Sequence, residues 1–180
     1  VFGRLGNNGG LGKTIVSGAT NTVDAFSNDN QSFLIVGTVN GGVFLKSIGD
    51  KKQNQSQPWR WISNPSSGYR GSQGIGKLEI SENGKLLAVG QGNSSNFNKI
   101  SEESRGLEFG RLKADGSVNW IDQPKKYREQ LLGHNIRSLQ WLDSRTLLAF
   151  SLKSKDQSGL LEDSGSVIAA FLDKKGRLKK

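Results

Sequence analysis

Three stretches of this chain repeat one pattern, and the repetition constrains the fold more than any other feature. Val23 to Gly37 (VDAFSNDNQSFLIVG), Ile75 to Gly90 (IGKLEISENGKLLAVG) and Ile136 to Ser151 (IRSLQWLDSRTLLAFS) each read as two strands joined by a polar turn. Asn83-Gly84 supplies the positive backbone angles of a tight hairpin turn, and Asn28-Asp29-Asn30 and Asp143-Ser144-Arg145 fill the same place with turn-forming residues. The second strands, Phe33 to Val36, Leu86 to Val89 and Leu147 to Phe150, are continuous apolar runs, as in strands covered on both faces.

A second motif follows each hairpin and also opens the chain. Phe2, Phe44, Phe109 and Val167 each stand six residues before Asn8, Asp50, Asp115 and Asp173. A further strand then follows the turn, clearest in Trp59-Arg60-Trp61-Ile62 and Val118-Asn119-Trp120-Ile121. With the strands named a to d, the chain reads c-d over 1–17, a-b-c-d over 22–62 and again over 75–121, and a-b-c over 136–172, with a basic tail over 173–180. The c strands recur at spacings of 42, 65 and 58 residues. Four-stranded units at a period of about 40 to 50 residues plus insertions predict an all-β segment of antiparallel β-propeller blades. A β-sandwich, which also places strands every 8 to 12 residues or so, is the alternative.

Several of these segments resemble WD40-like and BNR-like (Asp-box) propeller repeats. Gly37-Thr38-Val39-Asn40-Gly41-Gly42-Val43-Phe44 resembles the approach to a blade's third strand, and Gly71-Ser72-Gln73-Gly74-Ile75-Gly76 the approach to a BNR blade. Lys113 to Trp120 (KADGSVNW) is similar to the Asp box, keeping the Asp and the Trp five residues later, and Gly133-His134 resembles the GH pair of WD40 blades. The resemblance implies structural roles for Asp50, Asp115, Asp173, Trp59 and Trp120, the Asp capping the c-d turn and the Trp packing beneath it. For His134 it implies a hydrogen bond that ties a connection to the sheet. Propellers of the xyloglucanase type place a catalytic Asp where this chain has Val39 and Asn40, so that acid is missing here.

The remaining composition narrows the chemistry. The chain has no Cys, which removes disulfides, thiolate metal sites and a Cys nucleophile, and His134 is its one histidine, which removes a multi-histidine metal site. No G-x-S-x-G and no Walker loop occurs. Neither a metal nor another cofactor is therefore expected. No apolar run approaches the roughly 18 residues of a membrane span. The 25 Lys and Arg against 16 acidic residues leave a net charge of +9, which favours anionic partners. Nucleic acid is not the expected one, because Trp59, Trp61, Trp120 and Trp141 fall inside strands rather than on exposed stacking platforms.

Loop length indicates where a site would lie. The a-b and c-d turns emerge at one end of a blade and the b-c and d-a connections at the other, and the long segments 64–74, 91–105, 122–135 and 152–164 are all of the second kind, the c-d loop 51–58 being the exception. Insertions gathered on one face mark a binding face. The expected partner-binding residues there are Tyr69, Arg70, Phe97, Arg105, Lys125, Lys126, Tyr127, Arg128 and His134, with no catalytic residue assigned. The function expected is a non-catalytic binding or scaffolding propeller that engages a protein or glycan. The alternative is a segment of a polysaccharide-acting hydrolase or lyase, its acids drawn from Glu102, Glu103, Asp156, Glu162 and Asp163 or from other blades. Two complete blades cannot close into a ring of about four to eight. The chain, which also lacks Met, is thus expected to be a processed piece whose neighbouring blades lie on the same precursor or on partner chains, in a secreted or extracytoplasmic setting.

Overall fold

A computed structural model describes residues 20–27, 32–38, 42–47, 60–62, 75–91, 106–131, 134–153 and 165–179. Their strands form three antiparallel sheets, each built from consecutive strands in chain order. The first holds β1 (Thr20–Ser27), β2 (Ser32–Thr38), β3 (Val43–Ser47) and β4 (Arg60–Trp61). The second holds β5 (Ile75–Ile80), β6 (Leu86–Gln91), β7 (Leu107–Leu112) and β8 (Val118–Trp120), and the third β9 (His134–Trp141), β10 (Thr146–Lys153) and β11 (Ser166–Phe171). A two-sheet sandwich does not describe this arrangement. The sheets stack in series, and their first strands are neighbours, β1 packing on β5 and β5 on β9.

The apolar run of β6 explains the stacking. All six of its residues are buried, because successive side chains point to opposite faces and both faces are covered. Leu87 and Val89 join a core with Phe33, Ile35 and Leu45 of the first sheet. Leu86 and Ala88 join a second core with Leu139, Trp141, Leu147 and Ala149 of the third. The middle sheet is therefore shared by two cores, and each fully buried Leu, Ile or Phe contributes about 1.5–3 kcal/mol relative to exposure.

The sheets also interlock. Each first strand carries a bulge near its start, at Asn21, Gly76 and Arg137, where the register to the second strand slips by one residue. Just before the bulge, Ile75 and Ile136 are fully buried and reach glycines of the preceding sheet. A Cβ on Gly37 would stand 2.5 Å from Ile75 Cγ2, and one on Gly90 only 2.6 Å from Ile136 Cβ. Both glycines are thus sockets for an isoleucine. Polar contacts follow the same spacing: Ile80 N donates to Asp24 Oδ2 at 2.8 Å, and Trp141, in the matching place, donates its backbone N–H to the Glu79 carboxylate.

Three expectations need correction. Ser81 N donates to Leu86 O around Glu82 to Lys85, whereas Leu142 N donates to Thr146 O around only Asp143 to Arg145, so the third hairpin turn is one residue shorter. The repeats therefore slip by one after the turn, and the pairs Ile80 with Leu87 and Trp141 with Leu147 show that Phe150, not Ser151, matches Gly90. In the first of these turns only Gly84 has a positive φ, 67°. Second, Asp115 and Asp173 do not share a turn position. Gly116 and Gly176 mark the common position, with φ of 76° and 78°, so Asp173 corresponds to Lys113. Third, 173–179 is no tail. Leu172 bridges Leu178, Asp173 N donates to Arg177 O at 2.8 Å, and Lys179 N donates to Phe171 O at 2.7 Å, which makes the segment the turn and return of a hairpin on β11. The opening segment 1–17 lies outside the described residues.

Candidate functional site

The end of the stack expected to bind a partner is represented by the connection from β8 to β9. The sequence predicts a loop there, and the connection contains a helix, α1 (Lys125–Leu131). Pro124 starts it: proline fits the first turn because its missing N–H would be unpaired there, and its carbonyl accepts from Tyr127 N at 2.9 Å and Arg128 N at 3.2 Å. The signal was present in the sequence as Pro124 followed by Lys125 and Glu129 at an i, i+4 spacing.

The helix is anchored at both ends. Leu131 is buried in the second core, and its carbonyl crowds Gly106 so closely that no side chain would fit there. Ahead of α1, the buried Gln123 accepts from Leu178 N at 2.8 Å and donates to Gly176 O at 3.2 Å, which clamps the second sheet to the hairpin of the third. Between these anchors the polar side chains face solvent. Lys125 Nζ lies 3.7 Å from Glu129, Arg128 Nη1 lies 3.3 Å from Asp122, and Lys126 Nζ stands 5.8 Å from the centre of the Tyr127 ring. Exposed pairs of this kind are worth about 0–1 kcal/mol, so they orient the side chains without locking them.

His134 opens β9. Its Nδ1 lies 2.8 Å from Ser151 Oγ, which is fully buried at the far end of β10, so the ring joins the two strand ends. Next to it Asn135 is 1% exposed, and neither side-chain polar atom has a hydrogen-bond partner. The structure therefore brings Lys125, Lys126, Tyr127 and Arg128 together on one helix, with His134 beyond its end. Tyr69, Arg70, Phe97 and Arg105 lie outside the described residues, as do Glu102, Glu103, Asp156, Glu162 and Asp163.

Of the residues assigned structural roles, Asp50 and Trp59 lie outside the described residues. Asp115 Oδ1 accepts from Ser117 N at 2.8 Å, and Asp173 Oδ1 accepts from Lys175 N and Arg177 N at 2.7 and 2.9 Å. Hydrogen bonds hold both carboxyls below the usual range: for Asp115 first the Ser117 hydroxyl and then its amide, for Asp173 first the Arg177 amide. Asp143, in an a-b turn, does the same with Arg145 N and Thr146 N. Trp120 Nε1 donates to Ile62 O of the preceding sheet at 2.8 Å, and Trp141 Nε1 to Glu79 O at 3.2 Å. Glu79 itself is pushed upward, first by burial, while the Trp141 hydrogen bond pulls against that and nearby Asp24 adds to it. Among the described residues no three His, Asp or Glu stand together as a metal site.

No protein-family profile matches the chain, and no curated protein does. Six chains of solved structures match, and one of them is the periplasmic gluconolactonase PpgL of Pseudomonas aeruginosa. That chain is 14% identical with a TM-score of 0.45 over 81% of the present chain, which spans 41% of its length.

Proposed function

We propose that the chain is a segment of a β-propeller acting as a non-catalytic binding module. Its b-c and d-a connections form the face that engages a protein or glycan partner. The propeller reading is supported by three meander sheets stacked face to face with their first strands adjacent. It is also supported by the outer face of the third sheet, where Leu142, Phe150, Val167 and Phe171 are exposed at positions facing away from the second sheet. Further sheets, on the same precursor or on partner chains, would cover them.

The observation that carries the binding reading is α1, a helix pinned by Leu131 whose intervening Lys125, Lys126 and Arg128 are solvent-exposed beside a half-buried Tyr127. A pinned helix presents cationic and aromatic groups at little ordering cost. The test is a glycan microarray together with in-situ crosslinking to protein partners, comparing the native chain with Lys126→Glu/Tyr127→Ala/Arg128→Glu. The variant should lose the partner and keep its melting temperature. Undiminished binding by the variant would place the partner elsewhere.

A further inference from the structure

At the opposite end of the stack, the second and third sheets diverge around a groove of 560 Å³. It is lined by the a-b and c-d turns, the short connections where no binding face was expected. Its volume is within the range of about 300–1,000 Å³ that small-molecule sites occupy.

The lining is strongly one-signed. Lys85 and Arg111 come from the second sheet, Arg145 and Lys174 from the third, so two cations stand on each wall. One acid, Asp173, lines the groove beside them. Its Oδ1 already accepts the two amides of its own turn, Lys175 N and Arg177 N. Asp143 near Arg145 is likewise turned to backbone amides, those of Arg145 and Thr146. The two ion pairs between described side chains, Lys125 with Glu129 and Arg128 with Asp122, are both at α1. At the groove Arg111 Nη2 donates to Lys174 O at 3.1 Å, so one guanidinium is fixed across the junction of the sheets.

At the base of the groove Leu86 is the apolar side chain on the face toward the third sheet, whereas Leu112, next along β7 from Arg111, turns into the core with the first sheet. Apolar walls focus the field of the charges above them and strengthen their hold on an anion. A bare inorganic anion would reach one wall and leave the cations of the other without a partner. The two-sided rim and the volume together call for a ligand larger than a single anion, with anionic groups on opposite edges.

We infer that this groove between the second and third sheets binds a small acidic saccharide, its carboxylate or sulfate groups held by Lys85 and Arg111 on one wall and by Arg145 and Lys174 on the other. The site is distinct from the α1 face: Gln123 ahead of the helix reaches Gly176 of the lining, but Lys125, Lys126, Tyr127 and Arg128 do not line the groove.

Isothermal titration of the full chain at low ionic strength tests it with four probes: digalacturonate, a disulfated disaccharide, a neutral disaccharide and inorganic phosphate. The charged saccharides should bind, weaken as salt is added, and outcompete both the neutral sugar and phosphate. Whichever of the two binds more tightly identifies the carboxylate or the sulfate as the group recognised. Lys85→Glu/Arg145→Glu should weaken binding by about tenfold or more. Lys85→Gln/Arg145→Gln should give a smaller loss with an unchanged circular dichroism spectrum, and Lys126→Glu on α1 should change nothing. Absence of heat with both charged saccharides, phosphate binding of equal strength, or indifference to the groove variants would overturn the inference. None of these outcomes bears on partner binding at α1, which its own variant reports.

Discussion

Replacing Gly90 by alanine should destabilise the protein although strand propensity argues the reverse. In a strand interior, glycine is worse than alanine by about 0.5–1 kcal/mol, so propensity alone predicts a gain. The structure places a Cβ at this position 2.6 Å from the Cβ of Ile136, an atom fixed to its own backbone and unable to rotate away. Relief requires β9 to move off β6, which loosens the core shared by Leu86, Ala88, Leu139 and Ala149. Overpacking of this kind costs about 1–3 kcal/mol. With a urea dependence of about 2 kcal/mol per molar for a domain of this size, a 2 kcal/mol loss lowers the unfolding midpoint by about 1 M. Urea titration followed by tryptophan fluorescence reads this directly. Gly37→Ala should fall in the same direction, since its Cβ would stand 2.5 Å from Ile75 Cγ2 and 2.8 Å from Thr22 Cγ2. An unchanged or raised midpoint for Gly90→Ala would refute the socket as the basis of sheet stacking.

Two further outcomes follow from named contacts. Gln123→Leu keeps the volume but removes the acceptor of Leu178 N and a donor to Gly176 O, and unsatisfied buried groups cost about 1–3 kcal/mol, so its urea midpoint should drop while a Glu129→Gln control stays put. In acid, Asp115, Asp143 and Asp173 have folded pKa values below the ordinary 3.8, so the stability they add is present above that pH and is lost as pH falls through the folded values. Glu79 runs the other way: its folded value lies above 4.5, so stability declines as pH rises from there through the folded value. Urea midpoints between pH 2 and 6 should show a shallower acid limb in Asp173→Ala and a flatter upper limb in Glu79→Gln. Parallel profiles in all three proteins would reject both assignments.

The strand order was legible because it rests on patterns a chain cannot hide. Continuous apolar runs at Leu86 to Val89 and Leu147 to Phe150 need cover on two faces, and polar turns between them force antiparallel neighbours. What sequence spacing could not fix was turn length. A turn shorter by one residue leaves the spelling of the repeat intact and reverses which face each later residue occupies. The spacing of Asp115 and Asp173 misled for the same reason: both aspartates suit a c-d turn, one accepting from a single amide and the other from two, so composition alone does not assign the position. Helix α1 escaped because seven residues hold too few apolar positions to show a period, and Leu131 is its one buried residue. The cationic groove escaped because Lys85, Arg111, Arg145 and Lys174 are scattered over 90 positions and meet only when two sheets stack.

Phe150 stands where the first two sheets have Gly37 and Gly90, and its ring lies over Gly165. The lock that joins the three described sheets is therefore filled at the outward face of the third. Any sheet laid against that face with an isoleucine at the usual place would collide with the ring, so a neighbour must carry a small residue there or sit at another height. Sheets in this chain are not interchangeable parts. A mispairing that shifted the stack by one sheet would set Ile75 or Ile136 against Phe150 and be rejected on size alone. Among the described sheets, one aromatic residue thus decides which faces can meet.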